Sequence, residues 1–147
     1  MESDFGLRPA FAADTPLIAG IDEACGAPQD VHRAGLVPEL LNYGLSWIAE
    51  ADGVAAGYAL VSRRFFSRRF VELLAVAPAF RRQGLGVALM ARCEAAGEGE
   101  VLFTSTNQSN VAMQALLAKA RYEPSGVIYN LDPGDPELVF AKLTPQA

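Results

Sequence analysis

At 147 residues the chain is expected to form one domain, residues 1–147, long enough to bury roughly two thirds of the surface its unfolded form exposes. Hydrophobic residues make up 51% and charged residues 20%, which excludes an intrinsically disordered chain. The formal net charge of −5 argues against nucleic acid as a partner, but a local basic site stays open, because eight arginines lie between Arg63 and Arg121.

In chain order, Phe5 to Pro9 reads as a short first strand. Asp14-Thr15-Pro16 reads as a helix start, with Asp14 or Thr15 as cap and Pro16 in the first turn. Leu17, Ile18 and Ile21 form that helix's apolar stripe, and Gly26-Ala27-Pro28 ends it. Residues 29–44 read as a second, less regular helical segment, interrupted around Gly35 and Pro38. Leu45 to Glu50 follows as a strand with Leu45, Trp47 and Ala49 on one face. Asp52-Gly53 signals a hairpin turn, and Val54 to Val61 returns from it. Arg63 to Arg69 is expected to form a second, basic hairpin. Phe70 to Ala77 is apolar on both faces apart from Glu72, as a central strand would be.

Leu85, Ala88, Leu89 and Ala96 recur at helical spacing, and Gly97-Glu98-Gly99 stops that helix. Val101 to Thr104 is the next strand, and Ser105 to Ser109 a polar loop. A helix from about Asn110 to Ala120 points Met113, Leu116, Leu117 and Ala120 inward. Two strands, Tyr122 to Leu131 and Glu137 to Leu143, close the chain around the turn-rich Asp132-Pro133-Gly134-Asp135-Pro136. The order β-α-α-β-β-β-α-β-α-β-β predicts an α+β fold, a mixed sheet with helices packed on it.

Cys25, Cys93 and the single His32 make no zinc set, so no metal is expected, and two free thiols suit a reducing cytoplasm. Met1-Glu2-Ser3-Asp4 is acidic with no apolar core behind it, so no signal peptide is expected. No run has the length of a transmembrane helix, and no membrane partner is expected.

The stretch from Val76 to Leu89 carries the strongest functional signal. An apolar run ends at Pro78, Arg81 and Arg82 follow, and Gly84 and Gly86 lead into a helical pattern. Glycines let a ligand approach the backbone, and free amides at a helix start form an anion site. An ordinary glycine turn before a helix is the alternative. A Rossmann fingerprint would need a third glycine where Leu89 stands, and a P-loop would need Gly-Lys-Ser/Thr, so both are set aside.

Arg81-Arg82-Gln83-Gly84-Leu85-Gly86 resembles the acyl-CoA-binding motif of the GNAT acyltransferase superfamily, Gln/Arg-x-x-Gly-x-Gly/Ala. Leu74-Ala75-Val76-Ala77-Pro78 is similar to the strand that precedes this loop, and the element order is similar from Phe5 to Leu143. The resemblance implies a splayed pair of parallel strands, Phe70–Ala77 and Val101–Thr104, with the pantetheine arm of acetyl-CoA between them. The arm would pair with backbone around Leu74, Ala75 and Val76. The pyrophosphate would rest on the loop of Arg81, Arg82, Gln83, Gly84, Leu85, Gly86 and Val87, and CoA would leave as product. A homodimer is left open.

Acetyl transfer to an amine needs a base, a polarised thioester carbonyl and a proton for the departing thiolate. Strand alternation puts Phe70, Glu72, Leu74 and Val76 on one face, and a carboxylate on such an apolar face should have a raised pKa. The resemblance implies Glu72 as base, and pairing with Arg68 or Arg69 is the structural alternative. Asn110 is similar to the asparagine of Asn-x-x-Ala-x-x-x-Tyr, which implies a contact to the pantetheine arm or a bound water, and it also suits an N-cap. Leu117 stands where the family often has a tyrosine acid, and Arg121-Tyr122 replaces the following Gly-Phe. Water, Tyr122 or Tyr129 could supply the proton, though both tyrosines read more simply as strand aromatics. The expected function is acetyl transfer from acetyl-CoA to a primary amine of a small molecule or peptide. The alternative is a non-catalytic acyl-CoA-binding or regulatory domain, which Leu117 keeps open.

Overall fold

The computed structural model describes residues 5–144. Its strands are β1 Phe5–Pro9, β2 Trp47–Ala51, β3 Val54–Phe65, β4 Arg68–Val76, β5 Val101–Asn107, β6 Glu123–Ile128 and β7 Glu137–Leu143. Its α-helices are α1 Thr15–Ala24, α2 Val31–Leu41, α3 Leu85–Ala95 and α4 Val111–Lys119. The expected order of elements is therefore the observed one, with two short 3-10 turns added, Ala12–Asp14 and Pro78–Phe80. One mixed sheet runs β1-β2-β3-β4-β5-β7-β6, and only the β4–β5 pair is parallel.

Both hairpins turn on two residues in the left-handed region, Asp52 and Gly53 (φ 52° and 77°) and Phe66 and Ser67 (φ 52° and 63°). That backbone twist is what a two-residue hairpin loop needs. β3 runs past the expected end at Val61, so Arg63 and Arg64 belong to the strand itself. β5 likewise continues through Ser105 to Asn107, where a loop was expected, because each of its residues has a partner on β7. β6 is shorter than the expected Tyr122 to Leu131, while β7 has the expected bounds. Tyr122 and Tyr129 flank β6 rather than lie in it.

The interruption expected in α2 does not occur. Pro38 sits inside a continuous helix whose inner face buries Val37, Leu40 and Leu41. A proline there removes one hydrogen bond, to the carbonyl of Ala34, and Ala34 is exposed, so water can take that place. Asp30 caps the start, accepting the Arg33 N–H at 2.8 Å.

The sheet separates two apolar layers. α3 and α4 share one with Val61, Val71, Leu102 and Phe140, while α1 and α2 share the other with Ile48, Tyr58 and Leu60. On the second side, Asp22 of α1, Arg33 of α2 and Tyr58 of β3 interlock. Arg33 forks the Asp22 carboxylate at 3.0 Å from both Nε and Nη2, and the Tyr58 hydroxyl donates to the same carboxylate. Asp22 and Tyr58 are buried, and burial with the Asp22 bond pushes the Tyr58 phenol well above its usual range.

Among the described residues no helix is long and apolar enough to cross a membrane, and no group of three or more His, Cys, Asp or Glu could hold a metal ion. Met1-Glu2-Ser3-Asp4 lies outside the described residues. Cys93 is buried in the α3 layer, which pushes its thiol up to about 12.

Candidate active site

β4 and β5 pair over three positions only, from Arg69–Leu102 to Val71–Thr104. The cause is visible one strand away. Leu60 of β3 pairs with Leu73 and Val61 with Val71, so Glu72 is an extra residue, a β-bulge. A bulge bends its strand, and beyond it β4 parts from β5, leaving the β4 edge without a strand partner. A cleft of about 570 Å³ opens there. Its walls are Leu74, Ala75 and Val76 on β4, Phe80, Arg81 and Arg82, the turn Gly84 to Val87, and one side of α4.

At the mouth of the cleft the chain enters α3 through a loop in which Arg82 and Gly84 have positive φ (64° and 78°). Ala88 N–H donates to the Gly84 carbonyl at 3.0 Å, but the amides of Arg82 to Val87 have no backbone acceptor among the described residues. Those amides and the positive end of the α3 dipole suit an anion. The two glycines serve different ends. Gly84 takes a left-handed conformation that a side chain would strain, whereas a β-carbon on Gly86 would stand 2.5 Å from Leu116 Cδ1 of α4. Arg82 and Lys119 bring positive charge to the walls. Arg81 turns back instead, donating from Nε to the Val76 carbonyl at 3.0 Å, which also accepts from Cys25 Sγ at 3.5 Å.

Of the residues expected to hold the cofactor, Leu74, Ala75, Val76, Arg81, Arg82, Gly84, Leu85, Gly86 and Val87 line this cleft, and Gln83 and Asn110 do not. Asn110 caps α4, its Oδ1 accepting the Met113 N–H at 3.0 Å. Sequence reasoning missed Phe80, Ala112, Met113, Ala115, Leu116 and Lys119 as wall residues. The α4 members stand three or four apart, so a common face was legible. That this face walls a cleft as well as packing Met113 and Leu116 on the core was not.

Glu72 is not on the apolar face expected for it. The bulge breaks the alternation, so Val71, Leu74 and Val76 face the α3 and α4 layer while Leu73 and Ala75 face the other. The Glu72 carboxylate is forked by Arg64, whose Nε and Nη2 each lie 2.6 Å from one of its oxygens, and Arg64 also reaches Glu39 of α2 at 3.2 Å. The arginine paired with Glu72 is Arg64, not Arg68 or Arg69. Leu117 is fully buried in the core. Tyr122 is buried beside α3, where its hydroxyl donates to Glu94 at 2.9 Å, and Tyr129 is exposed. His32 is exposed on the first turn of α2.

A second carboxylate lies on β7, which β5 separates from β4. Glu137 begins β7, opposite Asn107 of β5 and Ile128 of β6. Its Oε1 is buried with no hydrogen-bond partner. Desolvation, then Asp132 and Asp135, hold its carboxyl above the usual range. Nothing in the sequence marks it, because its isolation comes from strand register and loop packing.

A model of the acetyltransferase (GNAT) family matches residues 20–121. The chain belongs to this family. No curated protein sequence matches the chain. Among solved structures, a GNAT-family acetyltransferase from Bacillus cereus superposes with a TM-score of 0.84 at 26% identity, covering 97% of this chain and 99% of that one. The ribosomal-protein-S18-alanine N-acetyltransferase of Escherichia coli gives 0.80 at 20% identity, over 98% of this chain and 96% of its own. Salmonella typhimurium yncA, solved with its cofactor acetyl-CoA, gives 0.72 at 21% identity, over 99% and 96%. At those two identities the likeness speaks for the GNAT fold alone. Membership makes this chain an acetyltransferase, and the cleft between β4 and β5 is the candidate site of its chemistry.

Proposed function

We propose that the protein moves an acetyl group from acetyl-CoA to a primary amine of a small molecule or peptide, by direct attack of the amine on the thioester. The observation that carries this reading is the row of unpartnered amides from Arg82 to Val87 at the mouth of a cleft opened by the β4 bulge. Acetyl-CoA supplies the activated acyl group as a thioester. In this reading the chain's own contributions are positional. The free edge of β4 at Leu74 to Val76 orients an amide-bearing arm, and the loop amides with Arg82 and Lys119 hold phosphates. Asn110 fixes the first turn of α4, and through it Ala112 and Met113, against the cleft. The free thiols Cys25 and Cys93 favour the cytoplasm as its compartment.

The test is acetyl-CoA binding by calorimetry, for wild type and a Gly84→Asp, Gly86→Asp double variant, alongside CoA release with a panel of amines. Bulk and negative charge where phosphates should sit are expected to abolish binding. Unchanged affinity in the double variant would remove the cofactor from this cleft.

A further inference from the structure

We propose that the open face of the sheet across β4, β5, β7 and β6 docks a second copy of this chain. The layer built by α1 and α2 covers β2, β3 and the C-terminal half of β4, and takes nothing from β5, β6 or β7. Leu102 and Phe140 face α3 and α4, so alternation turns Phe103, Val139 and Ala141 to the side that no helix layer covers. β3 gains one residue on β4 between Ser62 and Phe65, which brings Phe65 to the Phe70 side. There the Phe65 ring centroid lies 4.8 Å from that of Phe70 and 5.1 Å from that of Phe103. All three are half-buried and belong to neither apolar layer. Phe66, at the hairpin tip, is 85% exposed and holds a φ of 52°, a costly conformation for a bulky residue.

This face is complementary to itself. Residues paired across strands share a side, so one row crosses the sheet as Phe70, Phe103, Ala141 and Glu123. The row is bulky on β4 and β5 and small on β7. Its ends carry opposite charge: Arg68, two residues before Phe70, and Glu123 are both exposed, and neither makes an ion pair among the described residues. A two-fold axis parallel to the strands, between β5 and β7, sets β5 over β7 and β4 over β6 of the second copy. Phe103 then meets Ala141 of the second copy, and Arg68 approaches its Glu123. Each contact occurs twice, as an isologous interface requires. Stacked sheets lie about 10 Å apart, a gap suited to a large side chain against a small one. Phe65 and Phe66, one strand further out, lap the free edge of the second copy's β6, the outermost strand.

The charge on this face favours a second copy over an anionic membrane. Of the hairpin arginines, Arg63 is held by Glu100, Arg64 by Glu72 and Glu39, and Arg69 is buried against Glu100. That leaves Arg68, and Glu123 offsets it, so the face presents no net positive field. Aromatic side chains with one charge of each sign at opposite ends are what a two-fold protein interface uses. None of Arg68, Phe103 and Glu123 walls the cleft, so association can be tested apart from cofactor binding.

The experiment is sedimentation velocity of the full chain between about 1 and 100 µM, with melting curves on every variant to confirm folding. Wild type is expected to dimerise within this range. Arg68→Glu and Glu123→Arg each place like charges together across the axis and should weaken the dimer by about 10-fold or more. The double variant exchanges the two charges and should recover most of that loss. Phe103→Asp should be monomeric throughout. Where Phe103→Asp does not fold, the charge variants decide, since both sit at exposed positions. A wild type that stays monomeric, whether or not it sediments with phosphatidylserine vesicles, overturns the proposal. So does a dimer that neither charge variant weakens, or that the double variant fails to recover.

Discussion

Arg64 holds both carboxylate oxygens of Glu72, with Nε and Nη2 each at 2.6 Å. The pair ties the end of β3 to the bulge in β4 that opens the cleft. Glu72→Gln is therefore expected to act on the bulge rather than on proton transfer. It should lower unfolding free energy by no more than about 1 kcal/mol, since Arg64 is partly exposed, and leave the shape of the pH–rate profile intact. Urea unfolding and a pH series on the same preparation check both outcomes.

Gly84 and Gly86 separate by the kind of damage their replacement does. Gly84→Ala forces a side chain into φ 78° with nothing nearby to strike, so it should cost about 1–2 kcal/mol in stability. Gly86→Ala instead must turn the Leu116 side-chain tip aside, so it should reshape the cleft wall at little cost in stability. Acetyl-CoA affinity is expected to fall in both, and thermal melts to separate them. A Gly84→Ala variant as stable as wild type would contradict the conformational role.

The Asp22–Arg33–Tyr58 interlock should be the most sensitive polar cluster outside the cleft. Asp22→Ala leaves Arg33 and the Tyr58 hydroxyl without their acceptor, and is expected to cost about 3 kcal/mol. Tyr58→Phe removes one bond and keeps the ion pair, so a loss of about 1 kcal/mol is expected. Denaturant midpoints for the two variants give the comparison, and the reverse ranking would rule out the ion pair as the stronger element.

Glu137 should lower stability at neutral pH. Its folded pKa is raised, so the folded state holds the proton to higher pH than the unfolded chain does. Stability then falls as pH rises from the unfolded pKa through the folded one. Glu137→Gln should accordingly melt higher than wild type above that window and show no advantage below it. Melting curves across acidic and neutral buffers test the sign.

Lys119 lies on the cleft wall at the end of α4 and makes no ion pair among the described residues. Lys119→Glu should weaken acetyl-CoA binding most at low salt, where charges are least screened. An affinity that ignores both the substitution and the salt would take Lys119 out of the phosphate site.

The sequence alone determined the order of elements, the hairpin at Asp52-Gly53, the anion-suited loop at Arg81 to Gly86 and the family. These signals are local: a turn needs two left-handed residues side by side, and a helix start needs a cap and a period within a few positions. Tertiary structure decided the rest. One extra residue at Glu72 exists only relative to β3, so neither the splay, the turned carboxylate nor its capture by Arg64 could be read from β4 itself. In the same way, Glu137 is an ordinary strand-end glutamate until the register with Asn107 and the loop acids Asp132 and Asp135 leave one of its oxygens buried and unpaired. Side-chain role follows from what lies across the sheet, and that is set by pairing between residues far apart in the chain.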